Sequence, residues 1–116
     1  MTLEEITDKL GLEVKSGQDK LDMEVRRGYV SDLMSDVIAN TKEGDLWITL
    51  QVHINIVAVA SMKGLSGIIL INGRQPEAAT LEKARTENVP IFVSAQPAFE
   101  VAGRLYQLGI TGMDDA

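Results

Sequence analysis

The chain contains no cysteine, which excludes disulfide frameworks, thiolate metal sites and cysteine nucleophiles and fits a reducing, cytoplasmic setting. Histidine occurs once, at His53. Neither a second histidine nor a carboxylate-paired nucleophile stands near it in the sequence, so a two-histidine metal site or a catalytic triad has little support. Basic residues are outnumbered, 11 against 17 acidic ones, for a formal net charge of −6. Such a balance repels phosphate backbones and anionic lipid heads, and no nucleic-acid or membrane partner is expected. The nearest approach to a basic patch is Arg26-Arg27, with Lys15 and Lys20, and it reads as a solvated strand and turn. Long apolar runs are missing too. The longest, Ile54 to Met62, is interrupted by Asn55 and Ser61 and falls far short of the roughly 20 residues a membrane-spanning helix needs. The opening Thr2-Leu3-Glu4-Glu5 lacks the basic and apolar regions of a secretory signal, so none is expected. No Gly-x-x-x-x-Gly-Lys-Ser/Thr occurs, which removes the phosphate loop of nucleotide-hydrolysing domains.

What is present is ordinary globular material. The 116 residues, 45% hydrophobic and 24% charged, suffice for one core and not for two. We therefore expect a single domain over 1–112, followed by a frayed acidic tail, Met113-Asp114-Asp115-Ala116, over 113–116.

Hydrophobic periodicity orders the elements. Thr2 followed by Glu5 has capping-box spacing, and Leu3, Ile6 and Leu10 recur at helical intervals up to Gly11. Leu12 to Lys15 alternates as a half-buried strand, and Met23 to Val30 alternates as a second. Ser31 or Asp32 caps the next helix, on which Leu33, Met34, Val37 and Ile38 share a face. From Asp45 a βα rhythm sets in. The predicted strands are Leu46–Leu50, Gly67–Ile71 and Pro90–Ser94. The predicted helices are Ile54–Lys63, Pro76–Thr86 and about Pro97–Leu108. Short apolar strands without polar alternation, separated by helices, predict an α/β fold with a mainly parallel sheet covered by helices on both faces. Gly11, Gly64 and Gly109 stand just beyond helices, while Pro76 and Pro97 stand at first-turn positions.

Three stretches then carry a resemblance. Gly28-Tyr29-Val30-Ser31-Asp32-Leu33-Met34-Ser35-Asp36-Val37, Gly44-Asp45-Leu46-Trp47-Ile48-Thr49-Leu50 and Gly67-Ile68-Ile69-Leu70-Ile71-Asn72-Gly73-Arg74-Gln75-Pro76 together resemble the DRTGG domain, and the likeness extends over nearly the whole chain. The resemblance implies a fold similar to the amino-terminal domain of HPr kinase/phosphorylase. It also implies an accessory role in regulation and subunit association, as in members joined to phosphotransacetylase or lying between CBS domains of regulated pyrophosphatases. The chain departs from the family pattern at two points. Val52-His53 stands where the family carries an Asp-Arg pair, and Ile71-Asn72-Gly73 stands for Thr-Gly-Gly, so a charged site built on that pair is altered or lost.

Ligands of open parallel sheets bind outside the carboxyl ends of the strands. That rule selects the loops 49–55, 72–75 and 94–97, and within them Thr49, Gln51, His53, Asn55, Asn72, Gly73, Arg74, Ser94 and Gln96 as ligand-binding candidates. These groups suit the holding of a small polar molecule and are poorly suited to catalysis. His53 is a helix cap, a ligand contact or a pH-sensitive group. Asn72-Gly73 either offers backbone N–H groups to an anion that Arg74 neutralises, or forms a plain βα turn with positive backbone angles. Asp32 and Asp36, four apart, read as a solvated helical face or a weak cation site. Trp47, Tyr29 and Tyr106 read as core or interface.

The function expected is a non-catalytic, cytoplasmic regulatory module that self-associates, as a homodimer, and either binds a small metabolite or nucleotide or docks on a partner enzyme or signalling protein. The alternatives are an HPr-kinase-related phosphotransferase and a structural assembly subunit without ligand. The residues specify neither a cofactor nor a metal site.

Overall fold

The computed structural model describes residues 1–114. Helix α1 (Leu3–Leu10) leads to strand β1 (Glu13–Ser16), a single 3-10 turn over Gln18–Lys20, strand β2 (Gly28–Val30) and helix α2 (Met34–Asn40). The βα alternation follows as β3 (Leu46–Thr49), α3 (Asn55–Lys63), β4 (Gly67–Leu70), α4 (Ala78–Glu87), β5 (Ile91–Val93) and α5 (Ala98–Gln107). One five-stranded sheet has the order β1-β5-β4-β3-β2; β2 to β5 run parallel and β1 is antiparallel to β5.

The apolar runs divide their side chains between two cores, because successive residues of a strand point to opposite faces. Trp47, Ile68, Leu70, Ile91 and Val93 pack with Val37 of α2, Ile56, Val57 and Ala60 of α3, and Ala84 of α4. Leu46, Ile48, Ile69, Ile71 and Phe92 face the other way, onto Leu3, Ile6 and Leu10 of α1 and Val101 and Leu105 of α5. The expectation of an α/β sheet covered on both faces is met, with three helices on one side and two on the other.

The first helix starts as its spacing requires: Thr2 and Glu5 form a reciprocal capping box, and Gly11 closes it in the left-handed conformation at φ 65°. Strand β1 carries a bulge between Val14 and Ser16. The buried Ser16 hydroxyl mends it, donating to the Val89 carbonyl at 2.8 Å and accepting from Ile91 N at 3.0 Å. The turn after β1 passes so close to Pro90 that a Cβ on Gly17, at φ 82°, would lie 2.6 Å from the proline Cα. Only glycine fits there.

Two local expectations are corrected. The second strand does not begin at Met23; β2 spans Gly28–Val30 alone. Residues 21–25 run beside the start of the chain instead, where Leu3 N donates to Met23 O, Glu4 N to Leu21 O and Val25 N to Met1 O. Their alternation answers α1 rather than the sheet. Helix α2 is capped by neither Ser31 nor Asp32. Leu33 stands at the cap position, the Ser31 hydroxyl accepts from Leu33 N at 3.2 Å, and Asp32 turns towards β3. Both prolines sit slightly earlier than a first helical turn, Pro97 at the cap of α5 and Pro76 one residue before the cap Glu77 of α4.

Candidate functional site

The carboxyl ends of β2, β3, β4 and β5 form one crest, to which antiparallel β1 adds its amino end. The base of this crest is a lattice of polar groups, from the buried Thr49 and Ser94 to the exposed Asp32, that satisfy one another. Asp32, after β2, is the hub. Its Oδ1 accepts from the Thr49 hydroxyl at 2.8 Å and from Leu50 N at 2.7 Å, and its carbonyl accepts from Gln51 Nε2 at 3.0 Å. The buried Thr49 hydroxyl in turn accepts from Gln51 N at 3.2 Å. On the far side, Ser94 Oγ accepts from Gln96 N at 3.1 Å.

Asn72 and Gly73 adopt the positive φ of a βα turn, 56° and 67°. Their N–H groups are committed within the crest, Asn72 N to Gln96 O at 2.9 Å and Gly73 N to Ser94 O at 2.8 Å. The backbone nest imagined for an anion is therefore closed by the 94–96 loop. What this turn still presents outward are the exposed Asn72 and Arg74 side chains, and Arg74 has no ion-pair partner among the described residues.

His53 stands exposed one residue before the α3 cap Ile54, with Nδ1 2.9 Å from Glu77 Oε2. It is not the helix cap. Glu77 approaches because its own N–H donates to Val52 O at 3.3 Å, and Thr80 Oγ1 donates to the same carbonyl at 2.8 Å. Val52 and His53 are thus tied to the start of α4. Asn55, the first residue of α3, is exposed, as is Gln96. Gln75 Nε2 reaches Glu13 Oε1 of β1 at 3.2 Å.

The nine residues selected from the sequence therefore separate into two layers. Thr49, Gln51, Gly73 and Ser94 belong to the internally bonded base, and His53, Asn55, Asn72, Arg74 and Gln96 form the outer rim. Sequence reasoning placed Asp32 on a helix rather than at the crest, and missed Glu77. Asp32 follows a strand that proves parallel to β3, so the same carboxyl-end rule reaches it once the place of β2 is known. Glu77 carries no local signal, being 24 positions from His53.

Asp32 and Asp36 do not share a helical face, since α2 begins only at Met34. Asp36 accepts from the Tyr29 hydroxyl at 2.7 Å and from Asn40 Nδ2 at 2.9 Å. The bond from Tyr29 holds the Asp36 carboxyl below its ordinary range, and the same bond, from the other side, raises the tyrosine. Trp47 is wholly buried, its Nε1 donating to Ser31 O at 2.8 Å, whereas Tyr106 is 63% exposed and lies outside the core. No helix among the described residues is long and apolar enough to cross a membrane.

No curated protein sequence matches the chain. Among solved structures, the CBS and DRTGG domains of the regulatory region of Clostridium perfringens pyrophosphatase, complexed with the activator diadenosine tetraphosphate, superpose on it with a TM-score of 0.71 at 18% sequence identity. The match takes in 97% of this chain and 47% of that one, so the chain spans about half the length of the region it resembles. At this identity the likeness is one of fold. The DRTGG domain matches residues 5–108. With that match across most of its length, the chain belongs to the DRTGG domain family.

Proposed function

We propose that the chain is a non-catalytic regulatory module whose crest binds a small anionic metabolite, a nucleotide above all. One observation carries the proposal: an internally bonded base displays an outer rim of His53, Asn55, Asn72, Arg74 and Gln96, with the Arg74 charge uncompensated by any ion pair among the described residues. A base whose donors and acceptors are already paired does not reorganise when a ligand arrives, so the turns that carry the rim are held in place. Family membership supports the regulatory reading, and the nucleotide activator complexed with the pyrophosphatase region supports the ligand class. The rim offers hydrogen bonds, the Arg74 cation and the Glu77 carboxylate beside His53, which suits recognition better than bond breaking.

A ligand of this kind acts by binding one assembly state better than another. Self-association as a homodimer, docking on a partner enzyme or signalling protein, kinship in fold with the amino-terminal domain of HPr kinase/phosphorylase and a cytoplasmic location complete the proposal.

The test is a thermal-shift series with diadenosine tetraphosphate, ATP, AMP and acetyl phosphate, with oligomeric state followed by light scattering. A ligand at about 100 times its Kd stabilises the native state by about 2.7 kcal/mol and raises Tm. The shift is expected to shrink in His53→Ala and Arg74→Ala, both exposed positions whose loss leaves folding intact. A full-sized shift in both variants removes the crest as the site, and no shift with any compound favours the assembly-subunit reading.

A further inference from the structure

The opposite end of the sheet carries a second, separate arrangement. Arg27, just before β2, meets the buried Asp45, just before β3, in a two-pronged ion pair: Nε to Oδ1 at 3.0 Å and Nη2 to Oδ2 at 2.6 Å. Lys42 N donates to the same Oδ2 at 2.8 Å. This fixes the plane of the guanidinium and leaves its third nitrogen, Nη1, on the side of Asp114. Around that nitrogen gather Arg26 and Lys42, and into their midst reaches a carboxylate from the segment after α5. Asp114 lies 2.8 Å from Lys42 Nζ, 3.8 Å from Arg27 Nη1 and 3.9 Å from Arg26 Nη2. The arginines divide: Arg26, 60% exposed, is solvated as expected from the sequence, as is its neighbour Lys42 at 58%, while Arg27 is not. Arg27 is only 12% exposed, and Lys42 takes the place expected of Lys15 and Lys20.

The charges do not balance. Among the described residues, Asp45 cancels Arg27, which leaves the two cations Arg26 and Lys42 against the carboxylate of Asp114. In a chain of net charge −6, a local surplus of positive charge that gathers a carboxylate of the same chain is an anion subsite with a resident anion. Beside it lies a cleft of about 300 Å³, walled by Met1, Val25, Ile110 and Met113 and bordered by Arg26, Arg27 and Asp114. That is the size of a small ligand pocket.

We propose that this cleft is a second binding site, for the dianionic phosphoryl group of a small phosphorylated molecule, and that Asp114 occupies it as an internal competitor. A phosphoryl dianion matches the two uncompensated cations, where one carboxylate matches half. Arg27, held by Asp45, is preorganised to donate through Nη1. Among the described residues after Ile110, one backbone bond ties the segment bearing Asp114 to the sheet, from Gly28 N to Thr111 O at 2.9 Å, so Asp114 can swing away while Ile110 stays in the core. The site lies at the amino ends of β2 and β3, across the sheet from the crest, and does not depend on the reading of the crest.

The experiment is calorimetric titration at low salt with inorganic phosphate and with phenyl phosphate, on the wild type, Asp114→Asn, and Asp114→Asn combined with Arg26→Ala and Lys42→Ala. Removing a tethered competitor is expected to tighten binding about tenfold, and removing the two cations is expected to abolish it. His53→Ala and Arg74→Ala leave this binding unchanged, which separates failure here from failure at the crest. Equal affinity in wild type and Asp114→Asn, binding that survives loss of both cations, or no binding to Asp114→Asn when its circular dichroism matches wild type, overturns the proposal.

Discussion

At the scale of single residues, two glycines with similar backbone angles carry different constraints. Gly17 and Gly73 have φ of 82° and 67°, but a Cβ on Gly17 meets Pro90 at 2.6 Å, while one on Gly73 meets nothing within 4 Å. Gly73→Ala should therefore cost only the left-handed conformation, about 1–2 kcal/mol. Gly17→Ala should cost clearly more, because β1 and β5 must part. Urea unfolding of the two variants measures the difference, and equal losses contradict the close approach. Asp45 makes a related point. Its carboxylate is 1% exposed and, among the described residues, is the only charge cancelling Arg27 within hydrogen-bond reach. Asp45→Ala should destabilise by about 3–5 kcal/mol, since it strands a largely buried guanidinium. The sequence displays both residues, yet nothing local distinguishes Asp45 from the other acidic side chains. Its role comes from a strand pairing that brings positions 27 and 45 together.

At the scale of elements, the edge strand β1 depends on a serine. Ser16→Ala would leave the Val89 carbonyl and the Ile91 N–H unpaired at a buried bulge, each worth about 1–3 kcal/mol. Hydrogen exchange of β1 amides should accelerate before that of β3 and β4. Uniform acceleration across the sheet would mean that the bulge is not a local weak point. Carboxylates set the acid limit of two helices. Glu5, bonded by Thr2 N of the capping box, and Asp36, bonded by Tyr29, both ionise below their ordinary range in the folded state. A lowered folded pKa gives stability that is complete above the unfolded value and drains away as pH falls through the folded one, here below about pH 4. Urea midpoints of Glu5→Gln with Asp36→Asn should fall less steeply towards low pH than those of the wild type; parallel curves would assign the acid loss to other groups. The capping box was legible in Thr2 and Glu5 because it is local, three residues apart. The bond between Tyr29 and Asp36 was not, since it joins a strand to the helix that follows it.

At the scale of the molecule, two cores flank one sheet, and the strands supply both. Neither face can loosen without exposing side chains that the other face anchors through the same backbone. Unfolding should accordingly be a single transition, in which the fluorescence of the wholly buried Trp47 and the far-ultraviolet dichroism change together. Separate midpoints would divide the molecule into halves. Most of this architecture could be read in advance. The runs at 46–50, 67–71 and 90–94, the intervening helices and the left-handed Gly11 and Gly64 all register short-range geometry. The extent of β2 could not be read, because alternation over 23–30 fits a strand in the sheet and a segment laid against α1 equally well. The division of the candidate site into base and rim was hidden for a similar reason: Thr49 and Ser94 bond inward to partners on neighbouring loops.

Sequence by itself determined the class of fold, the family and the end of the sheet at which polar loops converge, because periodicity, caps and turns act within a few residues. Tertiary structure alone decided which of those polar groups remain free. It closed the N–H groups of Asn72 and Gly73 onto the 94–96 loop, turned Asp32 from a cap into the hub of the crest, and set Glu77 beside His53. It also gathered Arg26, Arg27 and Lys42 around Asp114. Hydrogen bonds and ion pairs between distant residues depend on where the sheet sets its strand ends, and no local pattern encodes that.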